Sequence, residues 1–292
     1  MPCYRYQIFI PGGNKTALVL GVDGLDSDGV LRKAIQNKIF AKHKTDADGE
    51  VEQVGFVSVD KSAPQLIMAG GEFCGNATRS AAAYYFQQPR NGDTEIKVSG
   101  TSKPVKAGLS SKGTRLEAWA EMPIIEDYSS AFLPLKGGLY WVSIEGISHL
   151  IVPQVQSVSY LNRILSCENE DAQKNIAFDV LKKTSEENSL SPGKAYGVIF
   201  LENIAGLLRM HPFVHVVESD TTYYETACGS GAMCVGLLNS FLSRESANLP
   251  VLQPSGKIIR VETGCSDAGE PKRGKISGEV LIGDTCEVDL YK

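Results

Sequence analysis

The sequence lacks several features that would place it in other classes of protein. None of its seven cysteines forms a C-x-x-C pair, so neither a zinc site nor a thioredoxin-like motif is indicated. No stretch approaches the roughly eighteen apolar residues of a membrane helix. Residues 1–20 lack the basic and apolar regions of a signal peptide. We therefore expect reduced thiols and a cytoplasmic location.

Strong positive charge is also missing. Lysine and arginine never occur in runs longer than two, and the formal net charge is −5. Because nucleic acids and anionic membranes call for a basic patch, we expect neither as a partner. A chain of 292 residues with 42% hydrophobic content can bury one large core or two ordinary ones without disulfides or a structural metal.

The pattern of apolar residues predicts an α+β protein with many short strands and few helices. Helices are predicted over 26–37, with Val30, Leu31, Ala34 and Ile35 inward, and over 171–183, and a polar loop over 184–194. A linker is predicted over 123–138. Strands are predicted over 5–10, 16–22, 54–59, 65–68, 94–98, 105–109, 116–122, 139–144, 150–152, 197–201, 207–210, 213–217, 257–262, 275–281 and 286–290.

Two further helices, over 77–88 and 231–244, are apolar around most of their circumference. Such a helix must be buried on nearly all sides, as it would be inside a curled β-sheet or barrel. We therefore expect two similar domains related by a pseudo-twofold axis, each a curled sheet around one buried helix. They should span 1–133, with 282–292 returning to it, and 134–281, with the active site in the cleft between them.

The same short motif precedes both helices. The first is Cys74-Gly75-Asn76-Ala77 and the second is Cys228-Gly229-Ser230-Gly231. Asn76 and Ser230 are expected as N-caps. The first turn of a helix offers unpaired N–H groups and partial positive charge, which stabilise a thiolate or bind a carboxylate. The glycines allow a ligand to approach the backbone closely.

Two thiols of this kind suit a two-base proton exchange. Inverting an α-carbon requires a base on one face and an acid on the other, and a thiolate and a thiol exchange these roles at each turnover. Helix N–H groups at the carboxylate would stabilise the carbanion. A lone buried cysteine before a helix is usually a small apolar side chain, but two in matching settings are harder to explain by packing.

Other motifs are incomplete or lie in an unsuitable setting. Gly12-Gly13-Asn14-Lys15-Thr16 lacks the spacing of a phosphate loop, and Gly229-x-Gly231 lacks the third glycine and the acid of a dinucleotide site. His211 and His215 have the spacing of a helical metal pair, but their surroundings predict a partly exposed strand. No lysine stands in a recognisable pyridoxal-binding setting.

At its two cysteine motifs the chain resembles the diaminopimelate epimerase family of cofactor-independent racemases. Residues 74–79 resemble that family's first signature, C-G-N-[GA]-x-R, and residues 226–232 its second, x-A-C-G-[ST]-G-A. The turn at Asn14, the segment 53–56 and the segment 146–149 resemble further motifs in the same order. The resemblance implies no cofactor and no metal, with Cys74 and Cys228 as catalytic residues. Carboxylate and amino-group binding is expected from Asn14, Gly75, Asn76, Gly229 and Ser230.

The departures from that family bear on the substrate. The family's Glu-Arg pair is replaced by Ser219-Asp220, preceded by Glu218, and the asparagine of G-N-P-H is Ile147. A diaminopimelate substrate would leave its distal charges unpaired, which is costly in a closed site. The shortened segment 69–76 is similar to that of the histidine racemases of metallophore biosynthesis, which implies histidine as the substrate. Acids for its imidazole or ammonium group are expected among Glu52, Glu72 and Glu225.

Two alternatives remain open at this point. One is a racemase or epimerase of the same fold that acts on diaminopimelate or another amino acid. The other is an amino-acid-binding protein that has lost the chemistry, although a binder needs neither thiol. The expected partner is a small amino-acid substrate, and a homodimer is left open.

Overall fold

The computed structural model describes residues 3–21, 28–47, 49–88, 90–191, 193–217 and 220–290. The fold is α+β, and the chain divides into two compact units, 1–121 with 277–292 and 122–276. The expected domain bounds, 1–133 and 134–281, stay a prediction. Within the described residues, no helix is both long enough and apolar enough to span a membrane.

The first unit is built on a closed sheet of eight strands. The elements of this unit are β1 (Cys3–Pro11), β2 (Thr16–Leu20), α1 (Gly29–His43), β3 (Gln53–Val57), β4 (Gln65–Met68), α2 (Gly75–Phe86), β5 (Gly92–Val98), β6 (Val105–Lys112), β7 (Arg115–Glu121) and the C-terminal part of β16 (Pro271–Asp289). The strand order is β1-β2-β3-β4-β5-β6-β7-β16, and β16 also pairs with β1. The β1–β16 pairing is antiparallel and runs from Cys3 opposite Asp289 to Pro11 opposite Val280.

Helix α2 is enclosed by these strands. It contacts every strand from β1 to β7, and ten of its twelve residues are buried. Its small side chains explain the close fit, since Ala77, Ala81, Ala82 and Ala83 are all fully buried. An alanine helix allows strands to approach without loss of helix propensity. The prediction of a buried helix in this half of the chain is confirmed.

The second unit consists of strands with helices on both faces. Its elements are α3 (Tyr128–Ala131), β8 (Phe132–Pro134), a 3₁₀ turn (Lys136–Gly138), β9 (Tyr140–Ile144), β10 (Ile147–Val152), α4 (Gln154–Leu165), α5 (Glu170–Glu187), β11 (Ala195–Ile204), β12 (Leu207–Val216), β13 (Thr221–Tyr224), α6 (Gly229–Ser243), β14 (Asn248–Leu252), β15 (Ile258–Cys265) and the start of β16. Helix α6 contacts β9, β10, β14 and β15, while α4 and α5 contact β11. Side chains alternate between the two faces, as the period of a strand requires.

The predicted inward face of α1 is correct for Ile35, which is fully buried, and for Leu31, which is partly buried against the core. It is wrong for Val30, which is 84% exposed, and for Ala34, which is also exposed. The other buried residues are Arg32, Ile39 and His43. Polar side chains enter this face because they find partners there: Arg32 Nε approaches the Ala69 carbonyl at 3.5 Å, and His43 Nε2 bonds to Tyr6 Oη at 2.8 Å.

Several predicted boundaries also differ. The predicted linker over 123–138 contains α3, β8 and the 3₁₀ turn, and α5 extends into the predicted loop over 184–194. Helix α4 and strands β13 and β14 were not predicted. The predicted strands 207–210 and 213–217 form one strand, β12, as do 275–281 and 286–290 in β16. The predicted ends Val22 and Asp26 lie outside the described residues.

Candidate active site

Cys74 is the N-cap of helix α2. Its backbone is extended, with φ −136° and ψ 113°, and its Sγ accepts a hydrogen bond from the Ala77 N–H at 3.3 Å. The same Sγ donates to Gln53 Oε1 on β3 at 2.8 Å. The residue is 9% exposed. The thiol therefore lies between a helix N-terminus, which favours negative charge, and a neutral amide acceptor.

Cys228 has the same place at the start of α6. Its backbone is extended, with φ −124° and ψ 108°, and its Sγ accepts from the Gly231 N–H, again at 3.3 Å. Its own N–H donates to Gln253 Oε1 at 3.0 Å. The two cysteine motifs thus have the same local geometry.

The predicted N-caps, Asn76 and Ser230, are wrong by two residues. The helices begin at Gly75 and Gly229, so both polar residues lie in the first turn. The cysteine Sγ atoms take the capping role because each accepts the N–H three residues later. The side chains of Asn76 and Ser230 are thereby left for other contacts: Asn76 Oδ1 accepts from Arg79 Nη2 at 2.9 Å.

Ser230 joins Cys228 to a buried histidine. Its Oγ lies 3.4 Å from Cys228 Sγ and 3.0 Å from His149 Nε2. Burial lowers the pKa of His149 to about 3, so its imidazole is neutral at physiological pH. Among the described residues no hydrogen-bond partner is present for its Nδ1. Sequence reasoning noted the segment 146–149 but gave His149 no role.

The thiol of Cys228 is held in its protonated form. Burial raises its pKa well above the ordinary value, and the nearby Glu225 carboxylate raises it further by charge and by hydrogen bonding. The Ser230 hydroxyl and the Gly231 N–H act in the opposite direction. Glu225, which the sequence suggested for substrate contact, therefore lies against the thiol of Cys228.

Asn14 and Glu52 form the second group that the structure brings together. Asn14 Nδ2 donates to Glu52 Oε2 at 2.9 Å, and Thr16 Oγ1 donates to Asn14 Oδ1 at 2.8 Å. The turn before Asn14 requires glycine, because Gly12 and Gly13 have φ of 66° and 98°. Asn14 is fully buried and its orientation is fixed from both sides.

Glu72 precedes the first cysteine on a tightly held loop. Its carbonyl accepts from Ser99 Oγ at 2.7 Å. A Cβ on Gly100 would lie 2.4 Å from the Phe73 nitrogen and 2.7 Å from the Glu72 carbonyl carbon. The loop that leads to Cys74 is therefore fixed against the strand ends beside it. Of the three residues noted before the second motif, Glu218 and Ser219 lie outside the described residues.

Sequence reasoning missed the two glutamines, Gln53 and Gln253. Gln53 opens a segment that resembled a family motif, so a signal was present. Gln253 has no motif around it, and its role follows only from the fold. The histidine pair lies on strand β12 as predicted but is buried rather than partly exposed, with His211 1% and His215 6% exposed. His211 bonds to Tyr224 Oη and Glu202 Oε1.

The described ranges contain no group of three or more His, Cys, Asp or Glu arranged to hold a metal. The groups available for chemistry are two thiols at helix N-termini, with amide and hydroxyl groups beside them. Such groups can exchange protons with a weakly acidic carbon and can bind a carboxylate through backbone N–H groups.

Known proteins are similar to this chain in sequence and in fold. The family model described as the histidine racemase CntK N-terminal domain matches residues 7–288. A histidine racemase of Fusobacterium nucleatum is 29% identical over 256 residues, covering 84% of each chain. One of Staphylococcus aureus is 23% identical over 278 residues, covering 91% of this chain and 90% of that protein.

A solved structure extends the likeness of fold. The Bacillus anthracis phenazine biosynthesis protein of the PhzF family superposes with a TM-score of 0.67 at 14% identity. The match covers 99% of this chain and all of that one. At this identity the likeness concerns the fold alone.

Proposed function

The chain belongs to the histidine racemase family described by the CntK N-terminal domain, and it is an isomerase that acts as a racemase. On that premise we propose that it inverts the α-carbon of histidine, with Cys74 and Cys228 as the paired base and acid and without a cofactor. The relatives at 29% and 23% identity, both named histidine racemases, support the substrate.

The observation that carries the mechanism is the repeated capping geometry. Both thiols accept a helix N–H three residues later at 3.3 Å, and both precede a glycine at the first helical position. A thiolate in this position gains a hydrogen bond and the field of the helix, so each cysteine can hold the negative charge in turn. Inversion in both directions requires that each thiol can act as base and as acid.

The proton transfers balance as follows. One thiolate removes the α-proton, so that a C–H bond breaks and an S–H bond forms. The other thiol gives its proton to the opposite face of the same carbon, so that an S–H bond breaks and a C–H bond forms. The enzyme is left with the roles of the two thiols exchanged. Since Glu225 and burial favour the protonated form of Cys228, we assign Cys74 as the thiol that first gives up its proton, which the structure directs to Gln53 Oε1.

Substrate binding is proposed for the residues around the two helix starts. The N–H groups of Gly75, Asn76, Gly229 and Ser230 suit the carboxylate, where they also stabilise charge that develops in the carbanion. Asn14 and Glu52, bonded to one another, suit the amino or imidazole group. Glu72 and Glu225 are the further candidates for the cationic groups of the substrate.

We also propose that the two units arose from a distant duplication. In each, a helix that starts at a Cys-Gly motif is buried against strands: α2 against β1–β7 and α6 against β9, β10, β14 and β15. The support is the matching N-cap geometry and the matching order of motif and buried helix.

The test is racemisation in D₂O with purified, reduced protein and no added cofactor. L-histidine and a panel that includes LL-diaminopimelate are followed together for loss of optical rotation and for α-deuteration. We expect histidine alone to be inverted and deuterated. Turnover of another amino acid would retain the mechanism and overturn the substrate. No α-exchange with any of them would leave the binding-protein alternative.

Variants of the thiols test the roles. Cys74→Ser and Cys228→Ser should each lower inversion by about 10²–10⁴-fold, the usual contribution of a positioned acid or base. Each variant keeps one thiol, so residual α-exchange should be confined to one enantiomer. Cys265→Ser, which lies outside both motifs, is the matched control and should retain inversion. Near-normal racemisation by either motif variant would contradict the two-thiol mechanism.

A further inference from the structure

Arg79 is a buried cation whose role the racemase chemistry leaves unexplained. The side chain is fully buried on helix α2, inside the closed sheet. Its Nη2 donates to Asn76 Oδ1 at 2.9 Å, but within the described ranges its Nε and Nη1 have no hydrogen-bond partner. A buried guanidinium with two unpaired nitrogens is costly, so a compensating interaction is expected.

The guanidinium lies beside the start of the helix. Side chains of an α-helix tilt toward its N-terminus, and the bond to Asn76 shows that Arg79 reaches back one turn. Burial lowers the pKa of Arg79 to about 10, while the charges of Cys74 and Glu117 act to raise it. The group therefore remains a cation at physiological pH, and the interaction with Cys74 favours its charge more than the interaction with Glu117 does.

The surrounding strands offer little competition for that charge. Glu117 on β7 is partly exposed and forms an ion pair with Lys112 at 3.7 Å, which is screened by water. The other charged residues on the strands that contact α2 are all exposed: Arg5, Asp93, Glu95, Lys97, Lys106, Lys112, Arg115 and Glu121.

We propose that Arg79 is a positioning residue that stabilises the thiolate of Cys74 through its buried charge and fixes the Asn76 side chain. The proposal rests on the function given above and deepens it. The two thiols then differ, because Cys228 is favoured as a thiol beside a carboxylate and Cys74 loses its proton more readily beside a cation. This difference makes Cys74 the base that forms more readily in the free enzyme.

The test is the pH dependence of Cys74 alkylation, which needs no turnover. Iodoacetamide labelling is measured by mass spectrometry of the Cys74 peptide between pH 5 and 10 (roughly the range in which thiols titrate). Arg79→Met and Arg79→Gln remove the charge, and Arg79→Lys retains it. The pH midpoint should rise by about one unit or more in the neutral variants, the usual effect of losing a close opposite charge. It should rise less in Arg79→Lys.

Two controls separate the effect of the lost charge on Cys74 from a general effect of the substitution on folding. Cys265, labelled in the same samples, should keep its midpoint in every variant. Replacing a buried charge by an apolar side chain is often tolerated, so Arg79→Met is expected to fold, and Arg79→Gln replaces it if it does not. An unchanged Cys74 midpoint in a folded neutral variant would overturn the proposal, as would equal midpoints for the lysine and neutral variants. Because labelling is read without substrate, these outcomes are independent of which amino acid is racemised.

Discussion

Glu225 and Ser230 act on the thiol of Cys228 in opposite directions. The carboxylate raises its pKa and the hydroxyl lowers it. Glu225→Gln should therefore lower the pH midpoint of Cys228 alkylation, and Ser230→Ala should raise it, by about one unit each. The measurement is mass spectrometry of the labelled Cys228 peptide across pH in both variants and the parent protein.

The two variants control one another, since any general loosening of the site would move both midpoints in one direction. Cys265 again provides the reference thiol. Shifts of the same sign, or none in either variant, would contradict the arrangement of Glu225, Ser230 and Cys228. Loss of the link to His149 in Ser230→Ala should leave folding intact, because a neutral imidazole tolerates loss of one partner better than a charged one.

At the residue scale, the sequence predicted the two helix starts but not the residues that cap them. Asn76 and Ser230 are better N-cap residues than cysteine by propensity, so the caps were placed two residues late. The choice depends on backbone angles at Cys74 and Cys228, which no local pattern reveals. The bond from Cys74 to Gln53 joins residues 21 apart in the chain, and only the pairing of strands around α2 brings them together.

At the scale of elements, Gly236 lies where α6 packs tightly against strand β15. A Cβ on this glycine would lie 2.4 Å from Val261 Cγ1, and a β-branched side chain cannot swing away. Gly236→Ala should thus lower the free energy of unfolding by about 1–3 kcal/mol, the usual cost of overpacking. Alanine would otherwise gain about 1 kcal/mol in helix propensity. Urea unfolding followed by circular dichroism measures the change.

The double variant Gly236→Ala/Val261→Ala gives the control. With the valine shortened, the added methyl group has room, and Gly236→Ala should become neutral or stabilising in that background. If the substitution costs the same with and without Val261, contact with β15 is not the cause.

Other elements show why boundaries were missed. The predicted break at His211-Pro212 does not occur, because proline lacks only its N–H and its carbonyl still accepts from Glu225. Strand β16 continues through 282–285, and its pairing with β1 absorbs an irregularity between Gln7 and Phe9. A β-bulge of this kind breaks the period of two without ending the strand.

At the scale of the molecule, fold class followed from the sequence because it depends on local patterns. Two helices that are apolar nearly all round required enclosing strands, and α2 has them. The return of 282–292 to the first domain was predicted, but the strand register that closes the sheet was beyond such reasoning. It joins Cys3 to Asp289, residues from opposite ends of the described chain, through backbone hydrogen bonds that carry no side-chain signature.

The closing pair β1–β16 leads to a prediction for the whole molecule. Removing residues 284–292 deletes the partners of Cys3, Tyr4, Arg5, Tyr6 and Gln7, together with the buried Val288. Strand β1 would be left with an unpaired edge, which favours pairing with other chains. We expect the truncated protein to aggregate and to lose racemisation. Size-exclusion chromatography, solubility and thermal unfolding measure this against Glu287→Ala, which keeps the backbone pairing and should match the parent. A truncated protein that elutes and melts like the full chain would show that closure of the sheet is dispensable.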